Sequence, residues 1–518
     1  MRPVQKAEVL NNFCDESVNQ KMLEGLALVQ SKLGREYPLV IGGERIFTEK
    51  KIKSINPSKK SEVIGYVSSA SCADVDKAIE VATKAFNKWK YVDLQARADV
   101  LYRAAAIMRK RRFELVALCI LESGRNYWEA DFDVAFTIET LEYHGRMTQH
   151  IQENKHLIPV APNGDNRMTY IPLGVGAVIP PWNFAFALMT NMVSAAVVAG
   201  NTVLMKPSSL TPVIAAFMME IWEQAGIPAG VINLVPGSGE DIGDHIVTHP
   251  DMRFIGFTGS KDVGLRINRL AAETSEKWVK RVILEMGGKN AILVDDEVDD
   301  LDEVARSVII GATSYQGQKC SATSRVIIHE KNYDALAAKI AERAEKLVVG
   351  PACENPDLGP VIDTGAFKKI TAYIEIGKTE GKLLAGGVAD SETGFFVRPT
   401  VIGDLAPNSR MAQEEIFGPV ISLIKVKSFE EGIEVFNNTQ YGLTGAFFSR
   451  NREHLEIARR ELHCGNLNFN TDSTYSQVGA APFGGFNMSG TDSKTGSPEY
   501  LMLFVQAKTV CELFDPYM

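Results

Sequence analysis

Cys320 is the residue of this chain whose surroundings best suit covalent chemistry. It lies in the run QGQKCSA, residues 316–322, among small and polar residues that are not typical of a packed core. Cys119, by contrast, lies in the apolar run VALCI, which is typical of an inert buried thiol. The neighbouring Lys319 would favour the thiolate, and Gly317 would keep the approach to the sulfur open. These features predict that Cys320 is a nucleophile.

Two further motifs carry polar residues that would complete a site around this nucleophile. Asn183 closes the tripeptide PWN, and Glu285 lies in the run LEMGGK, residues 284–289. An amide can donate a hydrogen bond to a developing oxyanion, and a carboxylate can act as a general base. Taken singly, Asn183 also fits a helix N-cap, and Glu285 and Lys289 also fit surface residues. Their order along the chain, together with the cysteine run, favours one joint active site.

The segments that must position these groups alternate between strand and helix patterns. Short β-rich runs predict strands at residues 175–180, 202–207, 231–235 and 254–257. The stretch from Pro212 to Gln224 predicts a helix. This alternation is typical of a parallel sheet with helices on both faces, which binds ligands at the carboxyl ends of its strands. The pattern restarts near residue 290 and runs to about residue 488, which indicates a second α/β domain.

The earlier segments are assigned from periodicity and composition. Up to about residue 150 the chain is expected to be helical, since apolar residues recur at helical spacing between 75 and 82. Between residues 155 and 170 short extended pieces are expected, broken by proline and glycine. The most apolar stretch, 184–200, contains asparagine, threonine and serine. We interpret it as a buried helix rather than a membrane span.

Two glycine-containing loops are candidates for binding a dinucleotide. The loop 237–243 follows a strand, but its third glycine is one position late for the motif GxGxxG, so it is a weak signal. The loop 257–264 directly follows the fourth strand. Its alternative interpretation is an ordinary helix start that is capped by Thr258 or Ser260.

A lysine at the end of the second strand bears on the choice of cofactor. Lys206 would bind ribose hydroxyls or a phosphate, or it would simply be solvated. Many NAD sites place a carboxylate near the adenosine ribose, whereas a small neutral residue such as Ser209 leaves room for a 2′-phosphate. NAD and NADP therefore both stay open.

The bulk composition narrows the class of protein. A chain of 518 residues, 45% hydrophobic and 23% charged, predicts a soluble protein of two or three domains. A net charge of −9 and a pI near 5.6 argue against a nucleic-acid-binding surface. Seven scattered cysteines do not form a disulfide framework, and the polar N-terminal segment does not resemble a signal peptide. A cytoplasmic enzyme without membrane or nucleic-acid partners is expected.

The motifs taken together, in the order PWN, glycine loops, LEMGGK and cysteine run, resemble the aldehyde dehydrogenase superfamily over nearly the whole chain. Further matches are EEIFGP at 414–419 and PFGG at 482–485. The resemblance implies an α/β fold with a Rossmann-like cofactor domain, a second α/β catalytic domain and a β-hairpin oligomerisation element. It also implies a small aldehyde as substrate, NAD as the cofactor with NADP open, and no metal.

The resemblance gives each candidate residue a role. Cys320 attacks the aldehyde carbon, and Asn183 with the Cys320 backbone N–H stabilises the oxyanion. Hydride passes to the nicotinamide, and Glu285 activates the water that hydrolyses the thioester. Lys206 completes the implied catalytic set. Glu415 would hold the nicotinamide ribose and Phe417 would pack near the ring; the full set of implied cofactor contacts is Ile179, Pro180, Trp182, Lys206, Ser208, Gly239, Phe257, Thr258, Gly259, Ser260, Val263, Met286, Gly287, Glu415 and Phe417.

Within the superfamily the resemblance is closest to the L-glutamate γ-semialdehyde (1-pyrroline-5-carboxylate) dehydrogenases of proline degradation. It rests on residues 34–44, 318–322 and 486–494. In that group the serine after the cysteine helps to hold the substrate carboxylate. The implied substrate contacts are Phe184, Ser321, Tyr475 and Ser476.

The sequence departs from that group at one loop. The Thr-Gly-Ala anchor, whose backbone N–H groups bind the substrate carboxylate, is replaced here by Thr474-Tyr475-Ser476. Tyrosine lacks the conformational freedom of glycine, and its ring would be able to fill the pocket. Asp472 would repel a carboxylate nearby. A different aliphatic or aromatic aldehyde therefore stays an alternative.

Other classes of protein also stay open as alternatives. A CoA-acylating dehydrogenase would not need the base for water that Glu285 supplies. A non-catalytic binding protein on the same fold would not need the combination of Cys320, Asn183 and Glu285. A plain cysteine hydrolase would need a histidine partner, and none of the eight histidines lies in a recognisable motif.

The chain is divided on this basis into three parts. Residues 1–150 and 171–284 are expected to form the N-terminal helices and the NAD(P)-binding domain, and residues 285–488 the catalytic domain. Residues 151–170 and 489–518 would supply oligomerisation strands, because the tail from Pro498 to Val510 has strand character. By resemblance these strands complete a neighbouring subunit, which predicts a homodimer or a dimer-based oligomer.

Overall fold

The fold is taken from a computed structural model that describes residues 7–152, 155–158, 163–273 and 277–514. The helices are α1 Glu16–Gln30, α2 Cys72–Trp89, α3 Leu94–Lys110, α4 Arg112–Ser123, α5 Tyr127–Met147, α6 Gln149–Gln152, α7 Ala187–Val198, α8 Pro212–Gln224, α9 Asp244–Thr248, α10 Lys261–Glu273, α11 Leu301–Thr313, α12 Glu330–Glu345, α13 Thr364–Glu380, α14 Arg410–Gln413, α15 Phe429–Asn437 and α16 Arg452–Glu461.

The strands lie in the same part of the chain. They are β1 Arg35–Tyr37, β2 Leu39–Ile41, β3 Glu44–Ile46, β4 Lys51–Asn56, β5 Lys59–Ser68, β6 Lys155–His156, β7 Gly164–Pro172, β8 Val175–Ile179, β9 Thr202–Met205, β10 Ile232–Leu234, β11 Phe254–Thr258, β12 Arg281–Glu285, β13 Asn290–Val294, β14 Thr323–His329, β15 Lys382–Ala385, β16 Ala389–Asp390, β17 Phe396–Val397, β18 Thr400–Gly403, β19 Val420–Val426, β20 Thr444–Phe448, β21 Asn466–Phe469 and β22 Val505–Leu513.

One large sheet has the strand order β12-β11-β8-β9-β10-β2-β3. Its strands β8 to β12 are parallel, and they are apolar along most of their length because helices cover both faces. Side chains alternate between the two faces along β9: Val203 and Met205 join one apolar cluster and Leu204 joins the other. The predicted strands and the helix from Pro212 to Gln224 are confirmed.

The second large sheet has the order β15-β18-β19-β14-β13-β20-β21. It begins at Asn290, where the sequence predicts that the alternation restarts, and its strands β13, β14, β19 and β20 are parallel. Apolar side chains again fill both faces. The predicted α/β class, with a Rossmann-like parallel sheet and a second α/β sheet, is confirmed.

The prediction that the chain is helical up to residue 150 is wrong for the segment between Arg35 and Ser68, which contains β1 to β5. The buried run Leu39–Ile41 turns through Gly42 and Gly43, whose φ angles are +63° and +83°, into the antiparallel partner β3. Glycine adopts these angles without the steric cost that other residues would meet. The hairpin adds β2 and β3 to the edge of the first large sheet.

The tail is only partly strand. Residues Pro498–Phe504 form a 3₁₀ helix because Tyr500, Leu501 and Phe504 pack into the interior, and the strand β22 starts only at Val505. β22 pairs with β7 over nine residues, and β7 pairs with β6, so the order of this small sheet is β22-β7-β6. Most side chains of β22 are exposed.

The apolar stretch 184–200 contains the buried helix α7, as predicted. No helix within the described ranges is long and apolar enough to cross a membrane.

Candidate active site

The two large sheets bring the motifs together at their facing edges. Glu285 is the last residue of β12, and five residues later Asn290 starts β13 in the other sheet. Cys320 lies just before β14, which pairs with β13. The Asn290 amide donates hydrogen bonds of 2.7 Å and 3.0 Å to the carbonyls of Cys320 and Ala322. The nucleophile loop is thereby fixed beside the end of β12.

The turn before Cys320 has an unusual backbone. Tyr315, Gln316 and Gly317 have consecutive left-handed φ angles of +56°, +57° and +64°, which is costly for the two residues that carry side chains. The buried Glu129 carboxylate holds this turn: it accepts hydrogen bonds from the Tyr315 N–H and, at 3.1 Å, from the Gln316 amide. The Tyr315 hydroxyl donates to the Glu129 carbonyl at 2.7 Å. These contacts maintain a conformation that the local sequence does not favour.

Gly317 has a different role from the one expected. A Cβ atom at this position would lie 2.2 Å from the carbonyl oxygen of Gly418, far inside van der Waals contact. Gly317 therefore allows the nucleophile loop to pack against the backbone that follows Phe417, and its main effect is not to open a path to the sulfur.

Arg125 is a residue of this site that sequence reasoning missed. It is fully buried and donates hydrogen bonds to the Tyr315 carbonyl at 2.8 Å, to the Gln316 side chain at 2.6 Å and to the Asn183 carbonyl at 3.1 Å. Its guanidinium also lies over the Tyr315 ring, 4.6 Å from the centroid. No local sequence motif indicates that Arg125 belongs to the site, because its hydrogen-bond partners lie 58 to 191 residues away in the sequence.

Asn183 is buried and belongs to the site rather than to a helix cap. Its side-chain nitrogen donates to the Gln318 carbonyl at 3.0 Å, which leaves one of its two N–H groups for another acceptor. The start of α7 is instead capped by Asp133, whose carboxylate accepts from the N–H groups of Phe186 and Ala187. The N-cap interpretation of Asn183 is therefore wrong.

The Cys320 thiol is held in its neutral form. Burial raises its pKa to about 12, and the carboxyl groups of Glu285 and Glu415 add to the effect. Lys319 was expected to favour the thiolate, but its ammonium group donates to the Ser314 hydroxyl at 2.9 Å, and burial lowers the pKa of Lys319 to about 8. A proton must therefore leave the sulfur before it can attack.

Glu285 is buried, so its interpretation as a surface carboxylate is wrong. Burial raises the pKa of its carboxyl well above 4.5. One carboxyl oxygen accepts a hydrogen bond of 3.1 Å from the Ser493 hydroxyl, and the other has no partner in the part of the chain that the structure describes. A carboxyl group with one free oxygen and a raised pKa suits proton transfer.

Lys289 is likewise buried and not a surface lysine. Burial lowers its pKa to about 7, and the cation of Arg325 adds to this effect, while Glu415 opposes it. Its ammonium nitrogen has no hydrogen-bond partner among the described residues.

A cavity of about 310 Å³ lies on one side of Cys320. It contains all four implied substrate contacts, Phe184, Ser321, Tyr475 and Ser476. The Tyr475 ring is 53% exposed, so it stands at the mouth and does not fill the cavity. The remaining lining residues are Trp128, Phe132, Phe136, Ala187, Leu188, Ile310, Ser314, Tyr315, Lys319, Cys320, Asp472, Thr474, Gln477, Phe483 and Thr495.

A second cavity, of about 380 Å³, lies on the other side of Cys320. Many implied cofactor contacts line it: Trp182, Phe257, Thr258, Gly259, Ser260, Val263, Met286, Gly287, Glu415 and Phe417. Asn183 and Cys320 line it as well. Cys320 is thus the residue at which the two cavities meet.

This second cavity has the groups that a dinucleotide needs. Ser260 directly precedes α10, whose first-turn backbone N–H groups favour a phosphate, whereas the Gly259 N–H donates to the Glu285 carbonyl at 3.0 Å. Glu415 is held by the Gly288 N–H at 3.0 Å, and a Cβ atom on Gly287 would lie 2.4 Å from its carboxylate, so Gly287 permits this approach. A carboxylate can accept hydrogen bonds from ribose hydroxyls. The residues present therefore fit NAD.

The remaining implied cofactor contacts lie outside this cavity, along the same sheet edge. Ile179 is the last residue of β8 and Pro180 follows it, while Lys206 and Ser208 follow the carboxyl end of β9. Lys206 is buried, which lowers its pKa to about 8, so it is not simply solvated. The weak glycine loop continues at Gly239 into one irregular turn and the short helix α9, and Gly239 itself is exposed.

Comparisons with known proteins agree with this geometry. The profile of the aldehyde dehydrogenase family matches residues 46–510. A 1-pyrroline-5-carboxylate dehydrogenase of Geobacillus thermodenitrificans is 52% identical over 514 residues, which cover 98% of this chain and 99% of that protein. One of Bacillus cytotoxicus is 50% identical over 513 residues, with 98% and 99% covered. A solved 1-pyrroline-5-carboxylate dehydrogenase from Thermus with bound NAD is 46% identical and has a TM-score of 0.97, with 99% of each chain covered. The chain belongs to the aldehyde dehydrogenase family.

Proposed function

We propose that this protein uses NAD to oxidise L-glutamate γ-semialdehyde to L-glutamate, a step of proline degradation. The observation that carries the proposal is the position of Cys320 between an aldehyde-sized cavity and a cavity suited to a dinucleotide. The similar proteins of Geobacillus and Thermus are both named 1-pyrroline-5-carboxylate dehydrogenases, and the solved Thermus structure has bound NAD, which supports the proposal.

The first step is the attack of the Cys320 sulfur on the aldehyde carbon. The thiol loses its proton to water as the sulfur attacks, and Glu285, whose second carboxyl oxygen has no partner among the described residues, is assigned to the later hydrolysis. The second N–H of Asn183 and the backbone N–H of Cys320 stabilise the oxyanion. The buried Arg125 holds both segments in place.

NAD, when bound, supplies the acceptor for the hydride of the substrate. The backbone at Ser260 and the start of α10 would hold its phosphates, and Glu415 would accept hydrogen bonds from its nicotinamide ribose. Trp182 and Phe417, whose rings meet edge to face at 5.6 Å, would form a wall beside the nicotinamide.

The last step is hydrolysis of the thioester on Cys320. Glu285 acts as the general base for water, and its raised pKa makes it a stronger base than an exposed carboxylate. The proton that Glu285 takes from water passes to the sulfur as the carbon–sulfur bond breaks, so Cys320 is released as the thiol.

The 310 Å³ cavity contains charges of both signs that are complementary to the amino acid head group of the substrate. Lys319 and Asp472 both line it, and the carboxylate of Asp472 raises the pKa of Lys319 against the effect of burial. An amino acid carries one charge of each sign, so its carboxylate pairs with Lys319 and Ser321, and its ammonium pairs with Asp472. Asp472, which was expected to repel the substrate, would then help to bind it.

The test is NADH formation from L-glutamate γ-semialdehyde, compared with butanal, which lacks the amino acid head group. We expect kcat/KM to favour the semialdehyde by ~10³ or more, which is roughly 4 kcal/mol of transition-state discrimination. Lys319→Met should remove most of that preference. Oxidation of butanal as efficiently as the semialdehyde would refute the substrate assignment, while leaving the thiol chemistry intact.

We further propose the three-part division of the chain and a dimeric assembly. Residues 1–150 with 171–284 form the NAD-binding domain, 285–488 the catalytic domain, and 151–170 with 489–518 the oligomerisation segments, in which β22 begins at Val505. The exposed strand β22 supports the assembly, since its outer edge is unpaired in the described chain and Val510 and Leu513 are exposed on it. Gel filtration with light scattering should give at least twice 56.9 kDa; a stable monomer would contradict the assembly. A cytoplasmic location stays a prediction from the sequence.

A further inference from the structure

One buried carboxylate on α5 joins two distant segments of the chain. Glu139 is only 8% exposed, and each of its two carboxylate oxygens accepts a hydrogen bond. The backbone N–H of Glu8 donates to one oxygen, and the side-chain amide of Gln477 donates to the other at 2.7 Å. These donors lie 131 and 338 residues away from Glu139 in the sequence. Glu139 therefore connects the beginning of the described chain to the loop 472–477.

The loop 472–477 is part of the substrate cavity. Gln477 and most of the other residues of this loop line the 310 Å³ cavity. Near the start of the loop, the Ser473 hydroxyl donates to the Ser321 carbonyl at 3.3 Å. At its end, the Gln477 amide binds Glu139. The residues between these two contacts include those that replace the Thr-Gly-Ala anchor, so the two contacts together set their position in the cavity.

The N-terminal segment, which we define as residues 7–13, is held along α5 at a second point. The backbone N–H and the side-chain amide of Asn11 donate to the Asp131 carboxylate at 2.8 Å and 2.7 Å. Asp131 and Glu139 are eight residues apart on α5, which is about 12 Å along the helix axis. The N-terminal segment therefore follows α5 for about two turns, and its Glu8 end reaches the carboxylate that holds the substrate loop.

A displaced loop should weaken binding of the substrate head group more than it affects the reacting end. Asp472, which is proposed above to bind the ammonium group, belongs to the loop. Cys320 is held by the Asn290 amide instead, and the Asn183 segment is held by Arg125. Because productive binding depends on positions that are fixed to within about 1 Å, a loosened loop would raise KM for a substrate that uses it.

We propose that Glu139 is a positioning residue for the substrate head group, and that through it the N-terminal segment determines substrate specificity. The Glu8 N–H and the Gln477 amide bind the same carboxylate, so the segment and the loop are held against α5 together. The inference rests on the proposed function, because it concerns the amino acid head group of that substrate.

The first experiment breaks the contact between the loop and α5. Gln477→Glu keeps the size of the side chain, but it removes the N–H donor and places a second carboxylate against Glu139. We expect KM for L-glutamate γ-semialdehyde to rise ~10-fold, whereas kcat and the KM for NAD stay within about twofold. The kcat/KM for butanal, which lacks the head group, should not change. Glu142→Gln is the matched control on the same helix, since Glu142 binds Arg109 and lines neither cavity.

A second substitution should restore the contact with its roles exchanged. In the double variant Glu139→Gln with Gln477→Glu, the new amide at position 139 offers its oxygen to the Glu8 N–H and its N–H group to the new carboxylate at position 477. The net charge of the pair is that of the unaltered protein. We expect KM for the semialdehyde to return to within about threefold of the unaltered value. A KM that stays ~10-fold raised would overturn the role of this contact.

The N-terminal segment is tested at the backbone of Glu8. Glu8→Pro removes the N–H that binds Glu139, whereas Glu8→Ala keeps this N–H and removes only the ion pair with Arg109. We expect Glu8→Pro to raise KM for the semialdehyde ~5-fold and Glu8→Ala to leave it unchanged. Equal KM values in the two variants would overturn the role of the N-terminal segment.

Hydrogen exchange tests the same contact without any substrate. The N–H groups of Ala480 and Ala481 donate to the Gln477 carbonyl, so they report on the end of the loop. We expect their exchange to be ~10-fold faster in Gln477→Glu and normal in the double variant. Unchanged exchange in Gln477→Glu would overturn the inference whichever aldehyde is the substrate. Equal oxidation of butanal and the semialdehyde by the unaltered protein would instead refute the proposed substrate, and faster exchange would then still support Glu139 as the residue that holds the loop.

Discussion

The guanidinium of Arg125 donates a 3.1 Å hydrogen bond to the backbone carbonyl of Asn183. The same side chain donates to the Tyr315 carbonyl at 2.8 Å, inside the left-handed turn that precedes Cys320. One buried cation therefore joins the segment of the oxyanion donor to the segment of the nucleophile. Because the oxyanion forms between these two segments, their relative position decides how well it is stabilised.

Replacing Arg125 by lysine should impair this alignment. Lysine keeps the charge beside Glu129 but cannot donate in the planar, forked geometry of arginine. We expect Arg125→Lys to lower kcat by ~10²-fold, with a much smaller effect on KM for NAD. Arg103→Lys is the matched control, since Arg103 donates to the Ala225 carbonyl at 2.7 Å, outside both cavities. An unchanged kcat in Arg125→Lys would show that Arg125 is only structural.

Removing the sulfur should separate binding from catalysis. Cys320→Ala should abolish NADH formation, and its Kd for NAD, measured by fluorescence titration, should stay within about threefold of the unaltered protein. The exposed Cys72 offers a control, because Cys72→Ala removes a thiol outside both cavities and should remain active. Measurable turnover by Cys320→Ala would contradict the nucleophile assignment.

The fold could be predicted from the sequence where the apolar periodicity of a helix or strand is strong. The site could be predicted only where its residues lie in short recognisable motifs. The run Thr202–Met205 alternates cleanly between two apolar faces and was assigned correctly. Leu39–Ile41 is only three residues long, and helices were expected around it, so it was missed. Short strands depend on their partners in the sheet, which the local sequence does not reveal.

The same limit applies to the site. Cys320, Asn183 and Glu285 lie in recognisable runs, but their burial and the raised pKa values of Cys320 and Glu285 result from tertiary packing. Arg125 acts through partners that are distant in sequence, so no local pattern marks it. Trp128, Phe132 and Phe136 of α5, which line the 310 Å³ cavity, do have a signal, because they are aromatic residues four positions apart, although such a stripe fits a helix core equally well.

Glu285 can be tested by the time course of the first turnover. Glu285→Gln keeps a hydrogen-bond acceptor for Ser493 but cannot take a proton from water. In rapid mixing we expect a burst of NADH close to one equivalent per active site, followed by a steady state at least ~10²-fold slower than in the unaltered protein. Loss of the burst would assign Glu285 to the earlier proton transfer from Cys320 as its essential role.

The pH dependence of stability offers an independent test of the Glu285 environment. The pKa of the Glu285 carboxyl is raised above 4.5 in the folded protein. At pH values between the pKa of the unfolded state and that of the folded state, the folded protein therefore binds more protons than the unfolded protein does. This contribution to the free energy of unfolding therefore falls as the pH rises through that window. Glutamine has no proton to lose, so the Tm of Glu285→Gln relative to the unaltered protein should increase as the pH rises above the ordinary pKa of a glutamate. A difference that does not vary with pH would contradict the raised pKa.

The glycine before the nucleophile provides a last test of how the loop is held. Gly317→Ala places a methyl group 2.2 Å from the Gly418 carbonyl, at a φ of +64° that alanine avoids. Because the neighbour is backbone, the clash is relieved only by moving the loop, so we expect a loss of ~2 kcal/mol or more of stability and ~10²-fold in kcat. Gly243→Ala is the control, since no atom lies within 4 Å of its added methyl group, and it should be neutral or slightly stabilising. Thermal unfolding and steady-state kinetics on both variants measure the effects. Normal kcat in Gly317→Ala would mean that Cys320 does not depend on the contact with Gly418.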